Sequence, residues 1–239
     1  MTHTISTPAA PAATVRPVRP ASALLMRCGI VAGPLFLAVG VLQGLTRTGF
    51  DFTRNALSQL SLGDLGWIQV TNFVIAGALM IACAIGMRGA LGDGPGSTWA
   101  PRLVAVFALS FLVSSVFAAD PGAGFPVGAP ETGLSANGTV HMIAGMIGYA
   151  ALSAAFLVLA RRFSAQGRRG WALASRLVPV AVLAGFAGSA VSVLFFFTGA
   201  ALGLVWLAAA TARLAVPAAG RPAAPTTTPT TTTTTNGNH

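Results

Sequence analysis

The chain has 239 residues, 54% apolar and only 8% charged, with a formal net charge of +9. Soluble domains carry roughly a quarter charged residues, so this composition excludes one. The basic surplus is entirely arginine, and it flanks apolar stretches instead of gathering on a face, which speaks for membrane topology and against a nucleic-acid partner.

Residues 1–21 are rich in Thr, Ala and Pro without periodicity and are expected to stay disordered. A membrane domain over 22–216 follows, with six apolar stretches long enough to cross a bilayer. The first, 28–45, contains Pro34 and is too long for a signal-peptide core, so it reads as an uncleaved span. Gly29 and Gly33, and then Gly40 and Gly44, put small residues one turn apart. Such faces allow close helix–helix approach, and self-association through them is one expectation.

The connection over 46–67 is polar. Asp51 or Thr53 is placed to cap a short helix running through Leu60, which Gly63 would end. Asn55 and Ser58 would share a face of it, and Trp67 falls where an interfacial aromatic belongs. The second span, 68–87, opens with Gln69 and Asn72, which need hydrogen-bond partners inside the protein. Gly92–Ser97 is a turn lacking the Lys-Ser/Thr of a phosphate loop.

The third span covers 103–119 and delivers Asp120 to its mouth; the fourth covers 139–160 and starts beside His141. A Gly/Pro-rich loop carrying Glu131 joins them. Arg161, Arg162, Arg168 and Arg169 then form a basic cluster suited to anionic lipid headgroups. The fifth and sixth spans, 175–196 and 199–216, share one long apolar run, which puts a tight hairpin near Phe197-Thr198-Gly199. A single long span with a re-entrant piece is the alternative. Residues 217–239 form a Thr/Pro-rich tail, expected to be disordered.

Twelve arginines fall on one side of these spans and only Arg47 and Arg54 on the other. By the positive-inside rule both termini face the cytoplasm. The Ala, Gly and Arg bias suggests a GC-rich bacterial genome and hence a plasma membrane. Cys28 and Cys83 lie within spans toward the cytoplasmic end, and no disulfide is expected.

Chemistry should collect on the outer side, where Asp120 and His141 meet at similar depth. One reading is structural: an Asp120–His141 hydrogen bond, joined by Asn55 or Ser58, clasping the outer loops to the bundle. Another is catalytic or metal-binding, with Ser58, His141 and Asp120 as a triad by type, or His141 and Asp120 as ligands. One histidine is a poor zinc signature, so neither a metal nor a cofactor is called for. No span carries an acidic residue at mid-depth, which counts against an ion-coupled permease.

Three clusters of residues resemble the signature of an actinobacterial membrane family, domain of unknown function 998. They are Asn55-x-x-Ser58-x-Leu60-Ser61-x-Gly63-x-x-Gly66-Trp67 with Asn72-Phe73, Asp120-Pro121, and Gly138-x-x-His141-x-x-x-Gly145. The resemblance spans about Arg27–Leu214 and implies a multi-helix integral membrane protein with no assigned activity. The expectation is therefore an all-α bundle of six transmembrane helices with an outward polar cluster formed by Asn55, Ser58, Trp67, Asn72 and Glu131. Binding or accessory function is expected first, a lipid- or envelope-directed hydrolase second, a small-solute permease third.

Overall fold

The structure, a computed structural model, describes residues 20–130 and 133–215. Both tails and Glu131 lie outside the described residues. Six helices account for most of the chain: α1 (Pro20–Thr46), α2 (Gly66–Ala90), α3 (Trp99–Val116), α4 (Ala136–Ala165), α5 (Arg169–Gly188) and α6 (Val193–Ala215). Each is long and apolar enough to cross a membrane, and no strand occurs among the described residues. Neighbours in sequence pack side by side, and α6 returns to α1, so the helices close a ring. One end carries the arginines around Arg88, Arg162 and Arg213; the other carries the two long loops and is called the capped end here.

Lipid tails are as apolar as leucine, so burial does not drive helices together in a membrane; packing distance does. Five of the six seams close on a glycine. A Cβ on Gly29 of α1 would strike the Cys83 sulfur of α2, and one on Gly77 of α2 would stand 2.8 Å from Leu112 of α3. Gly148 of α4 rests on Ser110 of α3. At Gly185 of α5 the added atom would reach the Phe195 carbonyl of α6 at 2.7 Å, and at Gly33 of α1 the Leu204 carbonyl of α6 at 2.7 Å. Gly40 and Gly44 are covered by Leu57 and by Phe50 and Phe52 of the first loop. The small-residue faces of α1 thus pack on α2, α6 and the first loop of the same chain. The sixth seam, α4–α5, has no such glycine and is held by aromatic rings, Phe163 on Trp171 and Tyr149 on Phe186.

Gln69 and Asn72 find partners inside the bundle. Gln43 Nε2 donates to Gln69 Oε1 at 2.8 Å, and Asn72 Nδ2 donates to the Phe36 carbonyl at 3.1 Å and to Gln69 Oε1 at 3.2 Å. These bonds fix the register of α1 against α2.

Two local expectations are corrected. The first loop forms a 3-10 helix only over Leu57–Ser61, because the Asp51 carboxylate accepts the Thr53 N–H (2.8 Å) and hydroxyl (2.6 Å) and so shapes a separate turn before it. The hairpin between α5 and α6 lies at Ser189–Ser192, where Ser189 N–H returns to the Phe186 carbonyl and Ser192 N–H to that of Gly188. Phe197-Thr198-Gly199 is inside α6; Gly199 is buried there against the Gly185 backbone, a close-approach glycine and not a turn residue.

Glycines at seams and glycines at open positions should respond oppositely to a methyl group. Gly33→Ala is expected to lower stability in detergent by about 1–3 kcal/mol, since the Leu204 backbone cannot yield. A Cβ at Gly145 would meet nothing within 4 Å, and Gly145→Ala should raise stability by roughly 0.5–1 kcal/mol. Thermal unfolding of both variants beside wild type checks the pair of signs.

Candidate functional site

At the capped end the two loops do converge. Asn55, 1% exposed, donates from Nδ2 to the Gly122 carbonyl at 3.1 Å and accepts the Asp51 N–H at 2.9 Å. Gln59 donates to the Asp120 carbonyl at 3.1 Å, while its Oε1 accepts the Ala56 N–H at 3.0 Å. Arg47 donates to the Leu60 and Leu62 carbonyls at 3.1 and 2.7 Å and lies over the Phe125 ring. Thr53 contributes its carbonyl to the Val193 N–H and the Ser192 hydroxyl, both at 2.9 Å, which ties the first loop to the α5–α6 turn.

Asp120 and His141 are not bonded to each other. The third helix ends at Val116 and the fourth begins at Ala136, three residues earlier in each case than the spans read from sequence. Asp120 therefore stands over the first turn of α4, where its carboxylate accepts the Ser135 N–H at 3.0 Å. His141 sits in the second turn, and its Nδ1 is 2.8 Å from the Phe117 carbonyl at the end of α3. A carbonyl only accepts, so Nδ1 carries the proton and Nε2 keeps a lone pair. Both side chains join α3 to α4, by separate bonds. Hydrogen bonds from Ser135, its hydroxyl first and then its N–H, hold the Asp120 carboxyl below the usual carboxylate range. The same occurs at Asp51, through the hydroxyl and N–H of Thr53.

Inside the ring, beneath this cap, lies a cavity of about 620 Å³, within the roughly 300–1,000 Å³ common for small-ligand sites. Its floor is aromatic, with one ring from each helix in two contacting groups, Phe36, Phe73 and Phe111 on α1–α3 and Tyr149, Phe186 and Phe196 on α4–α6, bridged by Phe107. Ser58 lines its roof and His141 its α4 wall. Asn55 and Ser58 do not share a face: one points to the second loop and the other to the cavity.

The model of the family described as a protein of unknown function (DUF998) matches residues 30–219. The chain belongs to the DUF998 family. Comparison with curated proteins and with solved structures returned no match. In this DUF998 protein the residues of the signature divide by use. Asn55, Asn72, Asp120 and Gly138 hold the fold together, Gly138 because a Cβ there would overlap the Asp120 carboxylate. Ser58, His141 and Gly145 line the cavity. Trp67 projects outward with 65% of its surface exposed.

Ser114 was missed by sequence reasoning. It is 5% exposed, lines the cavity, and its hydroxyl has no partner among the described residues. The signal was present: Ser110 and Ser114 are four apart in an apolar helix and face the same way. Gln59 gave no such signal. Among the described residues no three His, Cys, Asp or Glu side chains converge as a metal site would require.

At the arginine-rich end the basic cluster also divides. Arg162 donates to the Leu91 and Pro95 carbonyls at 2.7 and 3.3 Å, pinning α4 to the α2–α3 turn. Arg161 and Arg169 are exposed and Arg168 is half-buried.

Because Asp120 titrates lower folded than unfolded, its contribution is complete above about pH 3.9, the ordinary aspartate value, and fades as pH falls through the lowered one. Amide exchange at Ser135 should therefore stay slow at pH 4–5 and quicken only in stronger acid. In Asp120→Asn it should be faster throughout and insensitive to pH beyond the intrinsic chemical rate.

Proposed function

We propose that this protein is a plasma-membrane binding protein, both termini cytoplasmic, that holds a small amphipathic ligand in the cavity beneath its outer cap. The observation that carries the reading is the composition of the cavity wall. It is apolar and aromatic apart from a few uncharged polar groups, the usual make-up of a site that orients a ligand by two or three hydrogen bonds. The asymmetry of the arginines supports the orientation, since among the described residues Arg47 and Arg54 alone lie at the capped end. Exposed Arg161 and Arg169, with half-buried Arg168, are placed for anionic headgroups on the cytoplasmic side. Arg162 is committed to the Leu91 and Pro95 carbonyls.

A hydrolytic reading retains one observation in its favour: Ser58 and the Nε2-basic His141 line the same cavity. Asp120 does not serve it as a third member, because the Phe117 carbonyl occupies the position at Nδ1 that a triad carboxylate would take. The permease reading has no observation on its side. Between the cavity and the arginine-rich end the interior is filled by Met80, Leu152, Phe156, Leu159 and Leu207.

The test is to fill the cavity without disturbing the fold. Gly145 lines it and has open space at its Cβ, so Gly145→Trp projects an indole into the chamber. Wild type incubated with 1-decanol is expected to retain the alcohol by native mass spectrometry and to melt at higher temperature with it. The variant should melt no lower than wild type and show neither effect. Retention by both proteins, or by neither, would remove the binding reading.

A further inference from the structure

Resting on that reading, we propose that the ligand is a neutral, hydroxyl-bearing lipid that enters sideways from the leaflet at the capped end, between α4 and the α5–α6 turn.

The way in is set by helix lengths. Tyr149 of α4 packs on Phe186 of α5, so their depths match there, but α5 ends two residues later at Gly188. Toward the cap α4 continues back to Ala136, which leaves about 16 Å of it with no α5 alongside at 1.5 Å per residue. Along that stretch Met142 and Met146 line the cavity yet are 55% and 59% exposed, and Ala187 opposite them is exposed as well. Ile143 and Ile147, beside them on α4, are more than half exposed too. The gap is thus framed by apolar side chains at membrane depth. From the aqueous side the roof over Ala56–Ser58 is bonded both to the second loop and, through Thr53, to the α5–α6 turn. A chain already dissolved in the bilayer meets the gap first.

The headgroup is set by charge and by hydrogen bonding. Among the described residues no Arg, Asp or Glu lines the cavity. The two arginines at this end are engaged elsewhere, Arg47 with the Leu60 and Leu62 carbonyls and Arg54 with Asp51 at 3.1 Å. A phosphate or carboxylate inside would be a buried, unpaired charge, which is prohibitive. Three polar groups do line the cavity without a protein partner among the described residues: His141 Nε2 and the hydroxyls of Ser58 and Ser114. Ser114 is one turn before Phe117, whose carbonyl holds His141, so the two lie side by side on the α3–α4 wall. The imidazole nitrogen accepts and a serine hydroxyl donates, which is the complement of an alcohol group. A diacylglycerol is the probe that carries two chains and one such hydroxyl.

The experiment uses full-length protein in phosphatidylcholine nanodiscs with two photoactivatable probes bearing identical diazirine chains, a diacylglycerol and its phosphatidic acid. Labelling of Met142, Met146 or Ala187 by the diacylglycerol should exceed that by the phosphatidic acid at least tenfold. His141→Asn keeps a donor for the Phe117 carbonyl while deleting the Nε2 acceptor, and Ser114→Ala removes the neighbouring hydroxyl. Each should cut the preference several-fold without lowering the melting temperature by more than a few degrees. Met146→Trp, at the gap, should suppress labelling by both probes. Equal labelling by the two lipids would overturn the hydroxyl assignment. Decanol retention without any probe labelling at the gap would overturn lipid entry while leaving the binding reading intact, whereas loss of both would overturn the two together.

Discussion

The separation between helix backbones governs this molecule. In lipid there is no hydrophobic gain from pressing apolar helices together, so the ring closes only where a missing side chain lets backbones approach. Glycines do this at five seams. At α4–α5 contacting aromatic pairs take the place of a glycine, and α5 stops short of the capped end of α4. The cavity opens where α5 no longer runs beside α4.

Polar chemistry at the capped end is mostly spent on fastening. Asp51 and Asp120 each shape a turn, Asn55 and Gln59 join two loops, and Arg47 holds the short 3-10 helix. Loops at a membrane surface expose backbone groups that must be satisfied if the loops are to stay folded down. Ionisable side chains do that here, and among the described residues no Asp, Glu or Arg lines the cavity. This separation explains why a search for catalytic carboxylates leads to the cap while the open volume lies beneath it.

Much of the fold was legible because bilayer thickness imposes a length on apolar runs and arginines bracket them. Six spans follow from that, and the bonded interior placement of Gln69 and Asn72 follows from their being polar within a span. The hairpin was not legible. Hydropathy runs unbroken from Ser175 to Val216, and the turn at Ser189–Ser192 is hardly more polar than Phe197-Thr198-Gly199. A glycine marks a turn and a close approach equally well, and only the partner helix tells which. Of the site, His141 and Ser58 were found by residue type, but their pairing with Asp120 failed over three residues of helix end at each side. Ser114 needed α3 to be rotated against α4, which no one-dimensional pattern specifies.

The two bonds from the Thr53 carbonyl to Ser192 and Val193 carry a mechanical implication. They make the roof of the chamber and the turn beside its side entrance one linked piece. Anything that wedges the turn outward from within the bilayer pulls on the segment bearing Asp51 and Arg54, whose charges face water. A ligand in the proposed site would in this way act on the water-facing surface of the protein through two hydrogen bonds.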